Sequence, residues 1–204
     1  RSEVTMSIDG FTFANSTVLR NFPGSEVFSA PVRDSVEGQL YASGWYEELG
    51  GRMRDLTLKI SAGRIISAQA AEGDAHLQHV LSNGEGARYF GEVALGTNCK
   101  LRRRYFNPLL CEKAAGSFHL ALGHCYSYSE YGGKPVRVNN GNTQDLTPLH
   151  WDLTFMMLPE FGGGEVLLDG RTISKDGRFL DPRLSILNPA ETQSSQVSSR
   201  QDRI

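Results

Sequence analysis

Apolar and polar positions alternate in short runs through the first ninety residues, the period of strands with one buried face. Residues 4–8 alternate up to a turn at Asp9 and Gly10, and apolar runs at 25–29 and 38–42 are bounded by Pro, Gly and Asp. Residues 56–60 and 64–68 flank Ser61, Ala62 and Gly63, which predicts a hairpin with a three-residue loop. The period becomes helical at residues 72–81, where Leu77, Val80 and Leu81 share a face and Asn83 and Gly84 end the pattern. Residues 89–95 return to an apolar strand interrupted by one acid, Glu92, and a long loop is expected from 96 to about 109. Residues 118–122 fit a strand or the end of a buried helix equally, because so short a run carries too few periods to separate them. Residues 127–147 are polar and turn-rich and read as loop, and 150–157 form an apolar run headed by His150 and Asp152. Residues 165–168 and 171–174 flank Asp169 and Gly170, the signature of a hairpin closed by a type I′ turn, and 175–177 hold a second turn. The expectation is an α+β fold of mostly antiparallel strands with a few helices.

Composition bounds this picture. With 204 residues and 39% hydrophobic content the chain can bury one domain, expected over residues 1–187. Residues 188–204 are Ser, Gln, Thr and charge with almost nothing apolar, too little to offset the entropy of ordering, so a disordered tail is expected there. A net charge of -2 exerts no long-range pull on nucleic acid or anionic membrane. No apolar run approaches the roughly 18–20 residues of a membrane helix, and no basic segment leads into an apolar export signal. A chain opening on Arg1 is expected to be a fragment or a processed piece. Cys99, Cys111 and Cys125 are odd in number and lack a C-x-x-C spacing, which favours a reducing cytoplasm over a disulfide scaffold.

The chemistry does not announce itself through the commonest motifs: H-E-x-x-H, G-x-S-x-G and the P-loop are all missing. The glycine-rich run at 161–165 lacks the Lys-Ser/Thr that grips phosphate and reads as a turn. What stands out is acids and histidines inside apolar runs. A carboxylate buried at Glu92 needs a partner, since unpaired burial costs several kcal/mol. A salt bridge to an arginine or exposure on an edge strand would also account for it. His119 alone fits a hydrogen-bonded core histidine. His150 and Asp152 point to the same face of a strand, which places an imidazole beside a carboxylate. Imidazoles and carboxylates without thiolate suit Zn, Mn, Co or Fe in an enzyme and argue against a closed structural zinc site. A carboxylate-rich site can hold two divalent ions, with one acid bridging them.

Four segments carry a resemblance. They are NFPGSEVFSAP at 21–31 followed by DSVEG at 34–38, GEVALGTN at 91–98, EKAAGSFHLALG at 112–123, and LHWDL at 149–153. In this order and spacing the sequence resembles the M29 family of metalloaminopeptidases. The resemblance implies that Glu26, Glu92, His119, His150 and Asp152 are metal ligands, with Glu92 bridging two ions. It places His119 and His150 at one ion, and Glu26 and Asp152 at the other. Glu112 lies within the motif as a further ligand or as the carboxylate that handles protons. Tyr126 falls where the family has a tyrosine near the metals, placed to donate to a developing oxyanion. The implied activity is release of N-terminal amino acids from peptides by water activated at two divalent ions (Zn, Co, Mn or Mg). The resemblance also implies an additional N-terminal domain that helps form a homodimer, and this chain is expected to begin after it.

Two other readings differ in class. The resemblance extends to ring-cleaving 2,5-dihydroxypyridine dioxygenases, in which His119, His150 and Asp152 would face a single Fe(II). Glu26, Glu92 and Glu112 argue against that, because a mononuclear site has no use for three further carboxylates. The other reading is an inactive fragment. Lesser signals are discounted: His76 and His79 as a solvated helix face, Cys125 as packing, and the basic cluster of Lys100, Arg102, Arg103 and Arg104 as a contact for a carboxylate or another subunit.

Overall fold

The computed structural model describes residues 2–189 apart from Arg102 and Phe106; most of the expected tail lies outside the described residues. In chain order the strands are β1 (Glu3–Thr5), β2 (Ala14–Ser16), β3 (Glu26–Ser29), β4 (Glu37–Glu48), β5 (Gly51–Ser61), β6 (Arg64–Glu72) and β7 (Phe90–Gly96). They continue with β8 (Ser117–Gly123), β9 (Glu130–Tyr131), β10 (Lys134–Pro135), β11 (His150–Met156), β12 (Glu165–Leu168), β13 (Arg171–Lys175) and β14 (Arg178–Phe179). The α-helices are α1 (Asp74–Val80) and α2 (Pro108–Lys113). A four-stranded sheet runs β1-β4-β5-β6 and a five-stranded sheet runs β11-β8-β7-β3-β2. Each neighbouring strand pair is antiparallel, as in the small sheets β9-β10 and β12-β13-β14. The α+β expectation holds.

The two large sheets share one core. Leu40, Leu56, Leu58 and Ile65 of the first meet Val93, Leu120, Leu122, Trp151 and Leu153 of the second, joined by Leu77 and Val80 of α1. Strand alternation then turns Glu92 and Ala94, His119 and Ala121, and His150 and Asp152 to the opposite face of the five-stranded sheet. That face is buried too: Ala94 and Phe28 lie under a layer containing Tyr126, Tyr128 and Tyr131.

Several local expectations are refined. The β5–β6 loop has two residues, with Ser61 paired to Arg64. Ala62 and Gly63 both take left-handed φ, 47° and 73°, the type I′ geometry that matches strand twist. The odd residue is taken up by a register shift between Lys59 and Ile60. The turn at Asp169 and Gly170 has φ of 49° and 76°, as expected for type I′. The first helix starts later than its pattern suggests, because β6 continues to Glu72 and Gly73 breaks the chain with φ 76°. Residues 118–122 are strand: β8 lies between β7 and β11 and is paired on both edges. The loop expected up to about 109 ends in α2, whose start carries a readable signal. The Asn107 side chain accepts from Leu110 N at 3.3 Å, and Pro108 occupies the first turn. Among the described residues no helix is long and apolar enough to cross a membrane.

Candidate metal centre

Four strands converge on one point of the five-stranded sheet. Glu26 opens β3, Glu92 lies in β7, His119 in β8, and His150 and Asp152 open β11. The register sets Glu92 opposite Ala121, and Ala121 opposite Asp152. Ala94 stands opposite His119, and Glu26 opposite Gly96. The donors therefore rise around a floor of alanine and glycine, small enough to leave space between them.

That space is lined by atoms lacking partners. Glu26 Oε2, Glu92 Oε1, Asp152 Oδ1 and both ring nitrogens of His119 are buried without a hydrogen bond. Each such atom costs about 1–3 kcal/mol if nothing binds it. The separations explain the lack of bonding: His119 Nε2 stands 3.6 Å from Glu26 Oε2, 3.7 Å from Glu92 Oε1 and 3.9 Å from Asp152 Oδ1. Two ligands about 2.1 Å from one ion at a tetrahedral angle stand roughly 3.4 Å apart. The spacing thus suits atoms sharing a cation better than atoms bonded to each other. The donor set of carboxylates and imidazoles suits a divalent metal of the zinc, cobalt or manganese type.

The donors form two groups, each with ligand atoms within 4.8 Å of one another: Glu26, Glu92 and His119, and Glu92, His150 and Asp152. Glu92 belongs to both. Its Oε1 faces His119, and its Oε2 lies 3.1 Å from His150 Nε2. This grouping differs from the one the resemblance implies, for His119 stands with Glu26 and His150 with Asp152. His150 is oriented from behind, its Nδ1 lying 2.6 Å from the carbonyl of His124. A carbonyl only accepts, so Nδ1 carries the proton and Nε2 is left to face the carboxylates. Gly91 allows this arrangement, since a Cβ there would fall 2.3 Å from the same carbonyl oxygen.

Glu112 falls in neither group. It reaches the site from α2 with Lys113, a lysine only 1% exposed. Lys113 Nζ donates to Glu26 Oε1 at 2.5 Å and to Glu112 Oε1 at 2.7 Å. Glycine at position 96 makes this docking possible, because a Cβ there would lie 2.2 Å from the Ala114 carbonyl oxygen. Lys113 is the site residue that sequence reasoning passed over. Its signal was an unbroken EKAAG run, whose small residues let a charged helix end press against the sheet.

Burial and crowding set the electrostatics. Burial pushes the Glu92 carboxyl up, but His119 and His150 beside it prevail and hold it down at about 2. Burial disfavours the charged imidazoles, yet the carboxylates of Glu92 and Asp152 push His119 up to about 9 and His150 up to about 10. Burial, then the Glu92 charge, raises Glu26 against the pull of His119 and Lys113. Burial, then Asp152, pushes Glu112 up to about 8. The Tyr126 phenol is raised by burial and then by Glu92, Asp152 and Glu26, so it stays protonated. Its ring lies 5.2 Å from that of His150, which brings the expected tyrosine to the site.

The lesser signals resolve simply. His76 Nε2 lies 2.8 Å from the Glu48 carbonyl, and Cys125 Sγ donates to Asn139 Oδ1 at 3.4 Å. Arg104 spends its charge on backbone carbonyls and not on a carboxylate, donating to Ser43 O at 2.7 Å and Trp45 O at 2.6 Å.

Comparison with known proteins follows the same line. A profile of the thermophilic metalloprotease family M29 matches residues 4–158. Aminopeptidase AmpS of Bacillus subtilis (strain 168) is 30% identical over 168 residues, 78% of this chain and 38% of that protein. Aminopeptidase T of Thermus aquaticus is 32% identical over 157 residues, 74% of this chain and 36% of that protein. The chain thus spans little more than a third of the length of these relatives. The solved structure of wild-type AmpT from Thermus thermophilus superposes with a TM-score of 0.66 at 26% identity, covering 88% of this chain and 47% of that one. The structure of a 2,5-dihydroxypyridine dioxygenase from Pseudomonas putida KT2440 gives 0.55 at 19% identity, over 79% of this chain and 45% of that one, a likeness of fold alone.

Proposed function

The chain belongs to the M29 family of thermophilic metalloproteases, and from that premise we propose that it carries the dinuclear metal centre of an aminopeptidase, within one catalytic unit over residues 1–187. The observation that carries the reading is the pair of donor groups sharing Glu92, lined by buried atoms without partners. Glu26, Glu92 and His119 would hold one divalent ion, and Glu92, His150 and Asp152 the other, the metal being Zn, Co, Mn or Mg. Geometry supports two ions over one, since a single ion would leave one of the two donor groups unfilled. The same grouping weighs against the one-iron dioxygenase.

Divalent ions in such a site supply Lewis acidity toward water and toward a peptide carbonyl. The protein's own groups do the rest. Glu112, beside Asp152 and Lys113 and poised near neutrality, takes a proton from the attacking water and returns it to the leaving amine. Tyr126 keeps its phenolic proton and donates it as a hydrogen bond to the oxyanion. His124, through its carbonyl, holds His150 in place. The substrate is a peptide with a free amino terminus, and neither nucleic acid nor membrane is a partner. The family resemblance extends the proposal to a homodimer, and the cysteine pattern to a cytoplasmic location.

Metal analysis of the purified chain, paired with an assay for N-terminal release from short peptides, tests this. Two ions per chain with release of the first amino acid are expected. One iron with oxygen uptake, or a folded chain that binds no metal, would refute it.

A further inference from the structure

Among the described residues the five-stranded sheet ends at β11, and beside this edge lies a cavity of about 320 Å³. Its walls include Trp45 and Tyr46 of β4, Arg104 and Tyr105, and Trp151 and Asp152 of β11. Asp152 thus belongs both to the cavity and to the metal-type donor group. Asp152 and His150 are also the most accessible of the donors, with side chains 18% and 16% exposed, while those of Glu26, Glu92 and His119 are 3% or less. A ligand reaching the centre through this chain comes from the β11 edge.

The cavity is built by an irregularity in β4. The register shifts between Ala42 and Trp45, and Gly44 takes φ 84° while its N–H donates to Asp55 Oδ1 at 2.7 Å. Bulges re-aim side chains next to functional sites. Here Tyr46 turns toward the β11 edge, its hydroxyl donating to the Thr154 carbonyl at 3.2 Å and its ring lying edge-on to Trp151 at 6.4 Å, while Trp45 lies under the Arg54 guanidinium. Arg104 fills the bulge, and a Cβ on Gly44 would fall 2.3 Å from its Nη1. The guanidinium lies 4.4 Å over the Tyr46 ring and bonds to main-chain carbonyls. Its charge is satisfied within the wall, and Glu47 is paired with Arg52, so the rest of the lining is mainly aromatic and apolar, with Pro108 and Cys111 beside the aromatic rings. A volume of about 320 Å³ is at the small end of ligand pockets, about 300–1,000 Å³. It suits one amino-acid side chain and is too small for an extended peptide.

We propose that this cavity beside Asp152 receives the side chain of the substrate's N-terminal residue and selects apolar and aromatic side chains. The proposal rests on the aminopeptidase reading, because only there does the group next to the metals carry a free amino terminus.

Trp45 and Trp151 are the only two tryptophans of the chain, so intrinsic emission reports on this cavity directly. The chain is titrated with L-phenylalaninamide, L-leucinamide and glycinamide, once with zinc and once with EDTA. The phenylalanine and leucine amides are expected to bind at least about tenfold more tightly than glycinamide in both conditions, the discrimination an apolar pocket supplies. Trp45→Ala (reporting through Trp151) and Tyr105→Ala are expected to cut that advantage at least about fivefold while zinc stoichiometry stays unchanged. Equal affinities for the three amides, an advantage surviving both substitutions, or no binding at all overturns the proposal. Failure to bind zinc, with the apolar preference intact under EDTA, would instead overturn the metal reading and leave the cavity's selectivity standing.

Discussion

Lys113 Nζ lies 2.5 Å from Glu26 Oε1, and both side chains are almost wholly buried. The ammonium occupies one oxygen of Glu26 and leaves the other, Oε2, unpartnered and facing His119. A buried ion pair adds little stability by itself, but removing one partner strands the other charge. Lys113→Met is therefore expected to destabilise the metal-free chain by about 3–5 kcal/mol. Part of that loss should return when zinc is added, because a cation then faces Glu26. Urea unfolding with EDTA and with zinc measures both, and an unchanged midpoint in EDTA would show that the pair does not support the fold.

Glu92 is the shared member of the two donor groups. Glu92→Gln keeps the shape of the side chain and removes its charge, so it should leave fewer than two ions per chain and abolish peptide cleavage. Metal content after dialysis against zinc is the readout. Two retained ions with full activity would remove Glu92 from the bridging role.

Glu112 belongs to neither donor group, with Lys113 on one oxygen and Asp152 beside its carboxyl. Glu112→Gln should accordingly keep both ions while slowing turnover by about 10²–10⁴-fold, the range of a lost proton-transfer group. If the substitution loses an ion instead, Glu112 is a ligand and the proton-shuttle role falls.

Metal binding should release protons. In the metal-free chain, Glu92 and Asp152 override burial and push His119 up to about 9 and His150 up to about 10, both above the ordinary 6.5. Their charged forms therefore stabilise the metal-free fold fully below about pH 6.5, and that contribution is lost as pH rises through about 9–10. Ligation requires neutral imidazoles, so zinc must displace those protons, and its affinity should climb between about pH 6.5 and 9. Calorimetry at pH 7 in buffers of different ionisation enthalpy would show net proton release. A heat of binding independent of the buffer would contradict this.

Much of the site was legible along the chain because a strand has a period of two. His150 and Asp152 had to share a face once residues 150–157 were read as strand, and Glu92 inside an apolar strand had to find partners. Turn chemistry was equally local: Asp169 and Gly170 specify their type I′ hairpin through φ values few other pairs tolerate. The short second helix was missed although Asn107 and Pro108 mark its start, since its six residues are too few for an apolar period to show.

The sequence by itself determined the alternation of strands, the identity of the candidate donors and, through its motifs, the family. Tertiary structure decided which donors stand together. His119 faces Glu26, and His150 faces Asp152, because strand order and register across β11, β8, β7 and β3 are set by long-range pairing that no local pattern encodes. It also decided that Lys113 enters the site, since only the close approach of α2 to Gly96 brings that ammonium between Glu26 and Glu112. The cavity beside Asp152 is of the same kind, made where a bulge in one sheet meets the β11 edge of another. Periodicity reports which face a side chain takes, and only packing reports what that face meets.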